Sequence, residues 1–292
     1  MKAGIIGLPK TGKTTIFNAL TQGERNTDKY APPSLEANIG VVQVADERID
    51  KLSELYKPKK TIFATIEYHD YPGIFYKESE TSETALLSDI KNAEAFILVL
   101  RGFRDEELEG LYPLDTPLEQ FQHFQEEMLL YDLIIAEKRL EKIKLGYKRG
   151  VKTPAVQIEE KALHKIVDCL QINKPIKSIE LDNEEEKAIR GFQFFSAKPM
   201  LILINCNEDN INAWNETLNT FTEKDYQAYT IAGKFEEELS KLESEEAQMF
   251  MEDMGINESI RDRLTHWTYQ LMGYISFFTV GPDEVRAWTI EK

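Results

Sequence analysis

At 292 residues with 42% apolar side chains, the chain can bury one sizeable core, or a core and a smaller lobe. A net charge of −16 argues against wholesale coating of nucleic acid, so DNA is not expected as a partner. No stretch approaches the ~20 apolar residues of a bilayer span, so no membrane partner is expected. The only cysteines, Cys169 and Cys206, stand far apart outside any CxxC spacing, which points to a reduced, cytoplasmic protein without structural zinc.

Met1-Lys2 runs directly into the apolar Ala3-Gly4-Ile5-Ile6, predicting a buried strand with no signal peptide ahead of it. Next comes Gly7-Leu8-Pro9-Lys10-Thr11-Gly12-Lys13-Thr14, a GxxxxGK[ST] phosphate-binding loop, and then a helix from Thr15 to Leu20. The strand, loop and helix order is the context this motif needs. Loop N–H groups and the helix N-terminus favour phosphate, the Lys13 ammonium bridges the outer phosphates, and the Thr14 hydroxyl is placed to ligate Mg²⁺. Pro9, Lys10, Thr11, Gly12, Lys13, Thr14 and Thr15 are therefore the first candidate nucleotide-binding residues.

Ile39 to Val44 and Thr61 to Tyr68 read as strands, with a helix from about Asp46 to Tyr56 between them. At the end of the second run stands Asp70-Tyr71-Pro72-Gly73, a DxxG. Here Asp70 would hold Mg²⁺ through water and the Gly73 N–H would approach the γ-phosphate. Lys13, Asp70 and Gly73 form the candidate catalytic group. His69 is a candidate base beside Asp70, unless strand alternation turns its ring away. Ala95 to Leu100 is a further buried strand.

From Leu114 to about Arg190 the strands stop. Leu118, Phe121, Phe124, Met128, Tyr131 and Ile135 recur at helical spacing, Gly146 to Pro154 breaks the pattern, and Ile158 to Leu170 resumes it. This predicts an inserted helical hairpin whose tip, Lys138 to Lys152, carries Lys138, Arg139, Lys142, Lys144, Lys148, Arg149 and Lys152. It is the one basic cluster of an acidic chain, and the best candidate contact for RNA or a ribosome. A plain solvated face is the simpler reading of such a run.

Strands resume at Pro199 to Ile204 and Tyr226 to Ile231. The first is followed by Asn205-Cys206-Asn207-Glu208 where guanine-specific proteins keep NKxD. Glu208 is one methylene too long for that geometry and Cys206 lacks the Lys stem, which favours adenine over guanine. The second is followed by Ala232-Gly233-Lys234, similar to a base-contacting SAK segment. A helix from about Glu258 to Met272 precedes a β-hairpin, Ile275 to Val280 and Val285 to Ile290 around Gly281-Pro282-Asp283-Glu284. A lone hairpin is marginal in water, so an incomplete third domain is expected from Tyr274.

These motifs resemble the YchF/Obg-like ATPase family. Gly7 to Thr15 (GLPKTGKTT) is similar to the family's GLPNVGKST, and Ser34 to Val42 (SLEANIGVV) to its TIDPNVGVV. The NxxE at Asn205 and Glu208 and the closing FFTVGPDEVRAWTI, Phe277 to Ile290, also match. The resemblance implies an α/β P-loop NTPase (G-domain) with a mostly parallel sheet, an inserted α-helical coiled-coil hairpin and the first hairpin of a TGS-like domain. The expected domains are 1–113 with 191–273 for nucleotide, 114–190 for the hairpin, and 274–292 for the TGS-like start. It further implies ATP as substrate (GTP less so), Mg²⁺ as cofactor held by Thr14, Ser34 and Asp70, slow hydrolysis acting as a switch, and ribosome association. Ser34 stands where the family's switch-one Thr binds Mg²⁺.

Three departures matter. The family follows DxxG with a Gly-rich stretch, whereas Ile74 to Glu83 holds no glycine, which should stiffen the segment and impair hydrolysis. Ile74 also stands where Ras-like enzymes orient water with glutamine, a replacement the family shares. Lys10 replaces an Asn that holds K⁺ in related enzymes, so its ammonium could supply that charge, against the plainer reading of a solvent-facing Lys. In switch one, Pro33 stands where many relatives carry Cys. The alternatives to a slow ATPase are a hydrolysis-deficient nucleotide-binding module and a GTP-binding switch. A small-molecule kinase is disfavoured by the lack of an Arg-rich lid.

Overall fold

A computed structural model describes residues 1–23, 37–74, 87, 89–105, 108, 116–253 and 258–292. Two compact units emerge, one of residues 1–120 with 200–292, the other of residues 121–199.

The first unit is built on a six-stranded sheet of β1 (Lys2–Ile6), β2 (Asn38–Gln43), β4 (Thr65–Asp70), β5 (Ala95–Arg101), β6 (Met200–Asn205) and β7 (Gln227–Ile231), in the order β2-β4-β1-β5-β6-β7. All neighbours are parallel except β2 against β4. Every residue of β5 and β6 is buried, as continuous apolar runs in a two-sided parallel sheet should be. In such a sheet the loops at the C-terminal strand ends form the ligand crevice. Helices α1 (Lys13–Thr21) and α2 (Glu47–Tyr56) follow β1 and β2. Asp46 starts α2 by accepting from Arg48 N.

The run Thr61 to Tyr68 is not one strand. The chain breaks at Phe63-Ala64 into β3 (Lys60–Ile62) and β4, which lie in different sheets. β3 runs parallel to β9 (Glu284–Glu291), itself antiparallel to β8 (Tyr274–Val280). One apolar run thus serves two sheets. Hydropathy showed its length but not its partners. Val285 and Ala287 of the hairpin join the main core with Ile5, Phe17, Ile66 and Leu264, while Ile275, Phe277, Trp288 and Ile290 on its outer side are exposed.

The second unit pairs α3 (Pro117–Lys148), which enters it at Phe121, with α4 (Pro154–Gln171), joined by α5 (Asn183–Ile189). Leu129, Ala136, Leu140 and Ile143 recur at steps of seven, four and three, a coiled-coil seam, and form one cluster with Ala162, Leu163, Ile166 and Leu170. Of the predicted face, Phe121, Phe124 and Met128 are buried and Leu118, Tyr131 and Ile135 half-buried. Thr153 caps α4 through Val156 N, and Pro154 supplies its first turn. Asp182 and Glu185 close a capping box on α5.

The first unit continues after β6 with α6 (Asn215–Glu223), α7 (Gly233–Leu239), α8 (Ser244–Asp253) and α9 (Ile260–Leu271). Among the described residues no helix is long and apolar enough to cross a membrane.

Candidate nucleotide site

The loop between β1 and α1 is shaped by two glycines. Gly12 sits at φ 90°, and a Cβ there would meet Asn205 Nδ2 at 2.0 Å. Gly7, at φ 148°, lies so near Val99 O that a Cβ would come within 2.5 Å. Close approach of backbone to backbone, with the left-handed φ at Gly12, is what these positions require. Thr11, fully buried, donates from Oγ1 to Leu8 O at 3.2 Å and closes the loop on itself.

Lys13 begins α1 and is 6% exposed; its Nζ donates to Leu8 O at 2.7 Å and Gly7 O at 3.3 Å. Burial pulls its pKa down to about 8, opposed by the nearby Asp70 carboxylate and reinforced by Lys10. Asp70 ends β4, and its Oδ2 accepts from Thr14 Oγ1 at 2.9 Å and Asn38 Nδ2 at 3.1 Å. Burial raises its pKa, with Lys13, Asn38 and Thr14 pulling the other way. Both groups are therefore held as reluctant ions, which a phosphate group and a divalent cation would relieve. Among the described residues, Asp70 Oδ1 is buried without a hydrogen-bond partner, beside the Thr14 hydroxyl. A hydroxyl and a carboxylate oxygen with spare capacity are hard oxygen donors, and they fit Mg²⁺ with its retained waters.

Gly73 lies against the loop: a Cβ would meet Pro9 N and Cα at 2.5 Å, and the next residue, Ile74, donates its N–H to Gly7 O at 3.3 Å. Ile74 is 3% exposed. The DxxG turn is therefore packed on the phosphate loop. Lys10, at φ 61°, and Thr15 lie half-buried in and just after that loop.

Asn205 and Gly233 are brought to the same place. Asn205 Nδ2 donates to Thr11 O at 3.0 Å, while its Oδ1 accepts from Gly233 N at 3.0 Å. With 5% exposure and both halves of its amide engaged, Asn205 braces the loops that surround the site. Ala232 is buried beside it. Cys206 is buried as well, its Sγ against Ile231 O at 3.5 Å and its thiol pushed up to about 11 by burial, so it stays neutral. Glu208 is exposed and starts a 3₁₀ segment.

Other expectations fare differently. His69 lies on the opposite face of β4 from Asp70: its Nε2 is 2.6 Å from Glu67 Oε1 and its ring stacks on Tyr71. It is thus no base for this site. Ser34, Pro33 and the glycine-poor stretch from residue 75 to 83 lie outside the described residues. At the hairpin tip Arg139 is engaged by Glu159 through two bonds, at 2.6 and 2.7 Å, whereas Lys138, Lys142, Lys144, Lys148, Arg149 and Lys152 are exposed. Sequence reasoning missed Asn38 as a partner of Asp70, although Asn38 stands within the segment similar to PNVGVV.

Fold and loop together define a P-loop nucleoside-triphosphate-binding protein. The sequence profile of a family described as a 50S ribosome-binding GTPase matches residues 2–138. The chain is 33% identical to the ribosome-binding ATPase YchF of Bacillus subtilis, over all of this chain and 81% of that one. With the protein of the same name from Mycoplasma genitalium it shares 32%, covering 100% and 82%. The solved structure of the Schizosaccharomyces pombe YchF GTPase superposes with a TM-score of 0.80 at 27% identity, covering 100% of this chain and 80% of that one. The chain belongs to the YchF family of P-loop nucleoside triphosphatases.

Proposed function

We propose that the chain is a slow, Mg²⁺-dependent ATPase that works as a conformational switch and associates with the ribosome. The observation that carries this reading is the group of buried Lys13 and Asp70 with half-buried Thr14 at the mouth of a glycine-shaped loop. Lys13 would leave its two carbonyls for the β- and γ-phosphates, with loop N–H groups completing the cradle. Thr14, Asp70 and Ser34 would hold Mg²⁺, which would neutralise charge on the outer phosphates. Gly73, packed on Pro9, would bring its N–H toward the γ-phosphate. Catalysis in this scheme is positioning and charge neutralisation rather than proton abstraction by a side chain.

ATP is preferred over GTP because the carboxylate at the NKxD spacing is Glu208, one methylene too long for the guanine edge, and Cys206 is buried where a Lys stem would lie along the base. Asn205, Ala232 and Gly233 would then frame the base, with Glu208 at its outer rim. The ribosome reading draws on the relatives named ribosome-binding ATPase. The exposed lysines of the tip, Lys138 to Lys152, are the surface we assign to RNA. We also read residues 1–113 with 191–273 as the nucleotide domain, 114–190 as the inserted hairpin, and 274–292 as the opening strands of a TGS-like domain whose outer face is apolar. A cytoplasmic location accords with these partners.

A second reading, a nucleotide-binding module without hydrolysis, draws on the glycine-poor sequence that follows Gly73. Calorimetric titration with ATP, GTP and their diphosphates in Mg²⁺ buffer, followed by single-turnover hydrolysis, separates the cases. ATP binding with phosphate release supports the switch, tight binding without release supports the module, and equal or better GTP binding sinks the base assignment.

A further inference from the structure

We propose that Gln120 is a positioning residue of the nucleotide site, one that ties the state of the phosphate loop to the first turns of α3. The inference rests on the reading of residues 7–14 as the nucleotide cradle.

Gln120 is 1% exposed, and its side-chain amide makes both bonds that a neighbouring strand would make to the end of β5. Arg101 N donates to Gln120 Oε1 at 2.7 Å, and Gln120 Nε2 donates to Arg101 O at 2.9 Å. A buried amide bonded twice to one residue fixes the direction of that strand end, and losing it leaves a donor and an acceptor dry. Gln120 is also part of a helix turn, since its own N–H donates to Thr116 O at 3.0 Å. The turn is closed by Thr116 N donating to Glu119 Oε2 and Glu119 N to Thr116 Oγ1, a capping box. The clamp therefore joins two stiff elements.

From Arg101 the connection runs inward. Arg101 is in register with Asn205, and Gly102 N donates to Asn205 O at 2.7 Å. The bend is tight, because a Cβ on Gly102 would meet Ile204 Cγ2 at 2.6 Å. The Asn205 side chain then reaches Thr11 O in the phosphate loop and the N–H of Gly233. Thr11, Asn205, Arg101 and Gln120 are each no more than 5% exposed, so water does not stand in for a lost link. When Lys13 releases the Gly7 and Leu8 carbonyls to meet phosphate, the loop that includes Thr11 re-forms, and Asn205 is its direct neighbour. Such a network carries coupling only if ligand changes the far element, and that change is measurable.

The test is amide exchange of the full chain, read over residues 116–126, with and without saturating Mg·ATP. Exchange in the wild type is expected to slow on ATP addition. In Gln120→Leu and in Gln120→Glu, which keeps the volume but cannot donate to Arg101 O as a carboxylate, ATP still binds and the response is lost. The melting temperature separates coupling from mere support. A purely structural Gln120 lowers it equally with and without ATP, whereas a coupled one shrinks the increment that ATP adds. An equal response in wild type and both variants, or none in an ATP-saturated wild type, overturns the proposal alone. A flat titration of the wild type with both ATP and GTP overturns the nucleotide reading with it.

Discussion

At the phosphate loop, Lys13 lies buried against backbone carbonyls and Asp70 keeps one oxygen without a hydrogen bond among the described residues. In residues 121–199, Asp132 and Glu185 are at least as buried, yet Asp132 accepts three hydrogen bonds and Glu185, whose Oε1 also lacks one among the described residues, faces two lysines. Asp132 accepts from Phe195 N, Ser196 N and Ser196 Oγ at 2.7–3.0 Å. Glu185 is held by Lys165, the Asp182 N–H and Lys161, which draw its pKa down to about 2. The two patterns teach how buried charge divides its labour. At the phosphate loop burial outweighs the partners of Lys13 and Asp70 and opposes their charge, whereas at Glu185 the paired lysines and the Asp182 N–H outweigh burial.

The largest effect is expected from the glycines. Gly12→Ala combines a left-handed φ with a 2.0 Å clash on Asn205, and should cost about 4 kcal/mol of stability and abolish nucleotide binding. Gly150→Ala, at φ 82° with nothing within 4 Å, should cost only about 1 kcal/mol and leave binding intact. Thermal melts with calorimetry compare them, and similar losses at the two sites would erase the distinction.

Next is a pair of charge deletions. Lys13→Ala should weaken Mg·ATP binding by about 100-fold, about 2.7 kcal/mol, with little loss of melting temperature. Asp132→Ala should do the reverse, costing about 2–3 kcal/mol of stability by stranding three donors while leaving ATP affinity unchanged. If Lys13→Ala proved the more destabilising of the two, the contrast would be broken.

The smallest effects are in pH, and they fall in opposite windows. Lys13 has a folded pKa near 8, below its usual 10.5. The folded chain thus binds fewer protons than the unfolded one between those values, and stability should rise with pH across them. ATP recruits the ammonium, so binding near pH 8 should take up a proton, seen as heats that depend on buffer ionisation and absent in Lys13→Ala. Glu185 has the opposite sign: its contribution is complete above 4.5 and fades as pH falls toward 2. Glu185→Gln should flatten acid unfolding of residues 121–199 in that window, as followed by exchange of their amides.

How much of this was legible beforehand differs by element. The loop from Gly7 to Thr14, the DxxG at Asp70 and the strands around Phe96 and Leu201 could be read because each follows from local chemistry and period. The split of Thr61 to Tyr68 could not, since both halves have the same hydropathy and differ only in the strand each one meets. Asn205 illustrates the same limit within the site. Its identity pointed to a base reader, and only the fold showed both sides of its amide spent on Thr11 and Gly233. His69 looked like a neighbour of the chemistry because it is next to Asp70, and the pleat turned it to Glu67.

The amino-acid order alone therefore determined the family, the phosphate-loop motif, the alternation of strands with helices and a helical hairpin, read at 114–190. These depend on spacing and side-chain type over a few residues. Which buried polar groups are satisfied, which face each other across 30 to 200 positions and which are left waiting was decided only in three dimensions. Hydrogen bonds such as Thr14 to Asp70, Asn205 to Thr11 and Asp132 to Ser196 join residues 56, 194 and 64 positions apart. No local pattern encodes a bond of that reach, because its geometry exists only after the sheet and the helices have packed.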